Sequence, residues 1–350
     1  MNSTEPTEGA QEQGSSTSLS TGLVGGLILV GLSVVLTAAM LELGVRLVMP
    51  AYHPGGHNRW HEGDEERPRL GLAGETVSLS HKAGDFDTTV TYNDAGFRER
   101  RSISESTGDD LFVVGDSYSF GYGVEADERY SNLLEKALGR EVFNICIPED
   151  LEGYGKLVRY AEGQGATIRQ LVVGVCMEND LRDYAVPRPR AGKAPTFSKH
   201  GLKVLLNAHS ALYRYVTTQL NQAPALRGVA VKLGLAGSYD QGIGAVALPE
   251  PVVASSVAEL KKLTDTRPST VVIIPARSLW AGANQDVASE NHARFVGALR
   301  QAGIDVVDLR AHFEATGQPL GLHFKHDGHW TRDGHRLAAE VLASHLKARR

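Results

Sequence analysis

Cysteine is scarce in this 350-residue chain, which holds only Cys146 and Cys176. Two thiols are too few for a disulfide scaffold and lack the second ligand pair of a zinc ribbon. Both lie in apolar segments that read as neighbouring core strands, so two buried thiols are expected rather than a bridge. An excess of basic charge is also missing. Lys and Arg number 36 against 41 Asp and Glu, a formal net charge of -5, which gives no reason to expect nucleic acid as a partner. A phosphate-cradling loop is absent too. The glycine-rich stretch Gly234 to Gly244 contains no Gly-Lys-Ser/Thr and does not lead from a strand into a helix, so it reads as loop and no nucleotide cofactor is implied.

The first 21 residues lack Lys and Arg altogether and are rich in Ser, Thr, Gly, Gln and Glu. Such a composition cannot build a core and predicts a disordered tail over 1–21. Gly22 to Leu41 then runs without a charge, long enough for a helix to cross about 30 Å of hydrocarbon. This is read as a transmembrane helix over 22–41. A cleaved signal peptide is the competing reading, but a basic n-region and a clean A-x-A site are both missing. The Gly22/Gly26 pair fits a small-xxx-small contact and carries no weight by itself. Arg46 and Arg59 follow the span, so local charge leans toward a cytoplasmic location for what comes after it.

Residues 42–87 read as a linker over the surface, polar and with little periodicity from Tyr52 to about Gly84. Thr88 to Tyr92 looks like a short strand, followed by turn chemistry at Asn93-Asp94-Ala95-Gly96-Phe97-Arg98. From there, strands at Leu111 to Val114, Val142 to Ile147, Leu171 to Cys176, Thr270 to Ile274 and Ile304 to Leu309 alternate with helical patterns. That alternation predicts an α/β domain over 88–350, a three-layer parallel sheet with helices on both faces. Ligands in such sheets bind at the carboxyl ends of the strands. An insertion over about 185–269, with an apolar helical stretch around Leu205 to Leu220, reads as a cap or lid, or as an ornament on the sheet's edge.

Ser117 stands where the first of these strands opens into a helix, and Asp327 and His329 lie near the chain's end, with Gly328 permitting a turn between them. A serine hydroxyl is a weak nucleophile until an imidazole takes its proton, and the imidazole needs a carboxylate to fix its tautomer. Ser117, His329 and Asp327 supply the three groups. An oxyanion hole needs hydrogen-bond donors, for which the Asn179 amide and the Gly153 N–H are candidates. The competing roles are a turn serine, a strand-capping Asn179 and a helix-start glycine.

Gly115-Asp116-Ser117-Tyr118-Ser119-Phe120-Gly121, the Gly153-Tyr154-Gly155 glycines, Asn179-Asp180 and Asp327-Gly328-His329-Trp330 follow the order of the four blocks of the SGNH/GDSL hydrolases. The resemblance spans about Asn93 to Arg350, and Gly96-Phe97-Arg98 is similar to the Asn-x-x-Gly-Phe-Arg lead-in of membrane-anchored members. It implies a flavodoxin-like fold, a Ser117 nucleophile, and Gly153 and Asn179 beside the Ser117 N–H in the oxyanion hole. Two departures stand out. Glu149 to Glu152 intervene between Pro148 and Gly153, which leaves Gly155 as the alternative oxyanion glycine, and the last block is Asp-x-His-Trp where Asp-x-x-His is common, which resembles the subgroup with alginate-acetylating proteins.

The resulting expectation is a serine esterase or acylhydrolase, with O-acyl transfer to a cell-surface glycan as the alternative. Its substrate would be an acylated small molecule, lipid or glycan, with no metal or organic cofactor. A single-pass anchor with the domain in the periplasm or outside the cell is what membrane-anchored relatives imply. One rival is a metal site among His323, His326, Asp327, His329, Asp333 and His335. The other is a non-catalytic binding protein of the same fold.

Overall fold

The computed structural model describes residues 16–49, 52, 60–64, 66–187, 199–232 and 243–349. Most of the Gly234 to Gly244 stretch falls outside them. A 33-residue helix, α1 (Ser16–Val48), opens the described chain. Its segment Val24–Val48 has a mean hydropathy of 2.4 and is long and apolar enough to cross a membrane. The helix reaches further each way than the uncharged run. It begins at Ser16, inside the stretch expected to be a tail, and its last turns hold Glu42 and Arg46, inside the stretch expected to be linker.

That linker also contains a strand. β1 (Thr76–Ser80) pairs antiparallel with β2 (Asp87–Thr91). Val77 and Leu79 alternate inward with Val90, a period-two pattern too short to stand out among polar neighbours. Beyond the hairpin, five parallel strands form the central sheet: β3 (Leu111–Val114), β4 (Val142–Asn144), β5 (Gln170–Cys176), β6 (Ser269–Ile274) and β7 (Val306–Asp308). Their order is β4-β3-β5-β6-β7, with every neighbouring pair parallel. This is the flavodoxin-like order, whose switch point lies between β3 and β5. The two thiols are free and buried, but β3 separates the strands that carry or precede them, so they are not on neighbouring strands.

The helices flanking the sheet include α3 (Tyr130–Leu138), α4 (Leu151–Gly163), α8 (Glu250–Thr264), α9 (Gln285–Gln301) and α11 (Arg332–Ala348), with α3 packed on α11 and α4 on α8. Helix α8 was expected within the insertion. Instead Val253 and Leu260 are buried in the main core, so the domain resumes at about Pro249. The insertion proper carries α5 (Lys199–His209), α6 (Ala211–Gln222) and α7 (Pro224–Lys232). The apolar stretch from Leu205 to Leu220 is broken at Ser210, whose hydroxyl caps α6 by accepting from the Tyr213 N–H.

Candidate active site

Strand β3 delivers the chain to Gly115, where a Cβ would stand 2.4 Å from Ser119 Oγ and 3.0 Å from the Gly174 carbonyl of β5. Only a glycine lets the following turn lie so close to the sheet. Asp116 then caps the short helix α2 (Ser117–Phe120), accepting from the Tyr118 N–H at 2.9 Å. Ser117 is the first residue of that helix, half-buried, and its N–H has no acceptor within the helix.

The lead-in Asn93 to Arg98 fixes this turn from below. Asn93 Oδ1 accepts from the N–H groups of Ala95 and Phe97, which folds the loop. Arg98 is 1% exposed. Its guanidinium donates to the carbonyls of Phe120, Gly121, Thr89 and Val124, tying the hairpin to the residues just after α2. Burial, with Arg129 nearby, pulls its pKa down to about 9, which leaves it cationic at neutral pH.

The loop bearing Asp327 and His329 is clamped at both ends. His323 bridges to Trp330 in antiparallel fashion, and the Phe324 N–H donates to the His329 carbonyl. Trp330 is fully buried between Tyr118, Phe313 and His335. Tyr118 donates its hydroxyl to the Gly328 carbonyl at 2.7 Å, and Asp85 accepts from the His326 N–H and meets its ring nitrogen at 2.8 Å. A Cβ at Gly328 would collide with the Arg277 guanidinium, itself paired with Glu178.

These constraints bring Ser117 Oγ to 2.7 Å from His329 Nε2, while His329 Nδ1 hydrogen-bonds Asp327 Oδ1. Asp327 also accepts from the His329 backbone N–H, a two-residue turn that leaves both side chains on one side. Burial raises the Asp327 carboxyl, but the hydrogen bonds and charge of His329 outweigh it, and the net pKa lies below the ordinary carboxylate value. The His329 ring is 4.6 Å from that of Tyr122 and 5.0 Å from that of Tyr118.

The oxyanion candidates divide. Asn179 follows β5 at the sheet's switch point, and its amide reaches Asp116 Oδ2 at 3.5 Å. Burial pushes Asp116 up to about 6, against the opposing charge of His329. Gly153 lies inside α4, and its N–H is already given to the capping carboxylate of Asp150 at 3.1 Å. Gly155 sits further into the same helix. The four residues inserted before Gly153 are what place Asp150 at the helix cap. Tyr118, Tyr122, Asp85 and Arg277 went unnoticed in the sequence. Only Tyr122 had a local signal, a ring one residue past the Gly115 to Gly121 block.

The histidines of the last block diverge. His323 packs against Trp280 and Phe313, His326 turns to Asp85, and His335 lies in the first turn of α11, stacked on Tyr130. Burial holds His323 down at about 4 and His335 at about 3, so both are neutral in the folded protein. An unfolded imidazole binds its proton near pH 6.5, which the folded state excludes. Stability from these two groups is therefore complete above pH 6.5 and is lost as pH falls toward 4 and then 3, on the order of a few kcal/mol in total. Melting temperatures across pH 7 to 4 should show this decline, with a shallower slope in His335→Phe.

The site is a Ser, His, Asp row at the carboxyl edge of a doubly wound parallel sheet. Residues 268–350 match the family model ALGX, described as "SGNH hydrolase-like domain, acetyltransferase AlgX". No curated protein matches the chain. Among solved structures, it is similar to a lipase/acylhydrolase from Enterococcus faecalis, at 10% identity and a TM-score of 0.40 over 69% of this chain and 96% of that one. A member of the lipolytic protein G-D-S-L family from Veillonella parvula DSM 2008 aligns at 11% identity and a TM-score of 0.39 over 68% and 98%. A carbohydrate esterase family 2 enzyme from Corynascus thermopiles aligns at 12% and 0.37 over 69% and 67%.

Proposed function

We propose that the chain is a serine-dependent acyl-ester enzyme whose nucleophile is Ser117. The observation that carries this reading is the continuous hydrogen-bonded row from Ser117 Oγ through His329 to Asp327. His329 Nε2 takes the hydroxyl proton as Ser117 Oγ attacks the ester carbonyl, and Asp327 holds the resulting imidazolium. The tetrahedral intermediate collapses, the ester C–O bond breaks, and the departing alkoxide takes the proton back from His329. His329 then deprotonates an acceptor hydroxyl, which attacks the acyl-serine and frees Ser117.

Charge on the tetrahedral oxygen is met by the Ser117 N–H and by Asn179, whose long contact to Asp116 leaves its amide free to turn. The Gly153 N–H, held by Asp150, is not assigned this role. Asn179→Ala should lower kcat by roughly 10²-fold, with a much smaller change in KM, if the amide acts on the oxyanion. An unchanged kcat would remove it from the reaction.

Water as acceptor makes the enzyme an esterase. The match of residues 268–350 to a model described as an acetyltransferase favours a second reading, in which the acceptor is a sugar hydroxyl. The helix α1 supports a single-pass anchor, and the domain is assigned to the periplasmic or outer side. Labelling of the folded protein by a fluorophosphonate tests the nucleophile, and acetyl-ester turnover with and without added oligosaccharide separates the two acceptors. A folded protein that neither labels nor turns over ester in either mixture is a binding protein of this fold.

A further inference from the structure

A cavity of about 610 Å³ lies between the β1–β2 hairpin and helices α5 and α6. Tyr122 forms part of its wall, and the same ring lies 4.6 Å from that of His329, so the cavity adjoins the triad. Two cations line it, Lys82 and Arg214. Lys82 Nζ donates to Asn207 Oδ1 at 2.8 Å and Thr217 Oγ1 at 3.0 Å and lies 5.3 Å from the centre of the Tyr213 ring, which leaves its third N–H without a hydrogen-bond acceptor among the described residues. Arg214 donates through Nη1 to the Asn207 carbonyl. Neither has a carboxylate at ion-pair distance among the described residues. Of the two acids lining the cavity, Asp85 is held by His326, and Asp87 is exposed and accepts from Ser78. Burial pulls the Lys82 ammonium down to about 8, and Arg214 and Lys203 add to this, the state of a cation waiting for a counter-charge.

The wall that carries Arg214 is bolted to the end of α1. Glu42 accepts from the N–H groups of Ala211 and Leu212 and from the Ser210 hydroxyl, and Arg46 donates to the His209 carbonyl. Tyr52, four residues past α1, also lines the cavity and packs edge-on against Tyr215. The apolar segment ends at Val48, so these contacts set the cavity at about the depth of lipid headgroups. On the same helices, Leu202 and Leu205 of α5 and Val216 and Leu220 of α6 are exposed, pairs three and four residues apart that form apolar stripes beside the anchor.

We propose that the cavity between the hairpin and the insertion binds the phosphate of a membrane lipid through Lys82 and Arg214, presenting an acyl ester of that lipid to Ser117. This rests on the membrane anchor and on the serine acyl chemistry proposed above. The insertion is then a headgroup-recognition element fixed to the anchor.

Binding can be measured without turnover. The full chain bearing Ser117→Ala, in neutral detergent, is titrated calorimetrically with dihexanoyl phosphatidic acid. Lys82→Met and Arg214→Met should each weaken binding roughly tenfold, as expected for loss of one charge-assisted contact, while Lys82→Arg and Arg214→Lys retain it. Dihexanoylglycerol, which lacks the phosphate, should bind at least about tenfold more weakly in the parent and respond to neither substitution. Binding unchanged in both Met variants, or absent altogether, overturns the proposal. Inorganic phosphate binding as tightly as the lipid would make this a free-phosphate site, and tighter binding of oligogalacturonate would make it a site for a carboxylated glycan. Hydrolysis of 4-nitrophenyl acetate by the parent chain reports separately on the ester chemistry, which can fail while the lipid still binds.

Discussion

Ser117→Ala is expected to lower kcat for a soluble acetyl ester by roughly 10⁴- to 10⁶-fold and to abolish fluorophosphonate labelling, with the fold unchanged. The side chain is half-buried at the start of α2, and its hydroxyl makes one functional contact, to His329 Nε2 at 2.7 Å. Its loss therefore costs chemistry rather than packing. His329→Ala has an effect of similar size, and the double variant is no slower than either single one, because a nucleophile and its base act as a unit. Asp327→Asn keeps the shape of the turn but favours the wrong imidazole tautomer, at a cost of roughly 10⁴-fold. Multiplying losses in the double variant would mean that Ser117 and His329 serve separate steps.

The second large effect is on stability. Arg98→Met removes a buried cation whose guanidinium satisfies four carbonyls, those of Thr89, Phe120, Gly121 and Val124. Methionine fills much of the volume and donates nothing, so these oxygens are left buried and poorly paired. At about 1–3 kcal/mol for each unsatisfied group, partly recovered by relaxation and water, the expected loss is on the order of 4 kcal/mol. That is a large share of the 5–15 kcal/mol typical of a folded domain. Arg98→Lys does not restore it, since an ammonium on a flexible stem cannot serve a planar fork of acceptors. Denaturant midpoints of the full chain in detergent measure the change, and a loss below about 1 kcal/mol would show that the carbonyls find other donors.

Much of the site was legible locally. Gly115-Asp116-Ser117 at a strand's end, and Asp327-Gly328-His329 two residues apart with a glycine between, each describe a backbone turn that short-range sterics already favour. The same reasoning failed to separate the two roles it offered Gly153, oxyanion donor and helix-start glycine, because the choice turns on Asp150, which caps α4 and takes the N–H. It failed again at β1, whose two inward residues have meaning only when β2 and the core lie against them.

By itself the amino-acid sequence determined the parallel α/β architecture, the long apolar segment near the N-terminus and the candidacy of Ser117, Asp327 and His329. These follow from hydrophobic periodicity and turn chemistry, which act over a few residues. The tertiary structure alone decided the distance between Ser117 and His329, 212 positions apart, and the pairing of Asp85 with His326. It alone also decided the fastening of α6 to Glu42 and the place of Lys82 opposite Arg214. Each depends on which surfaces meet once the sheet has closed its order, and no local pattern encodes a contact between segments that far apart.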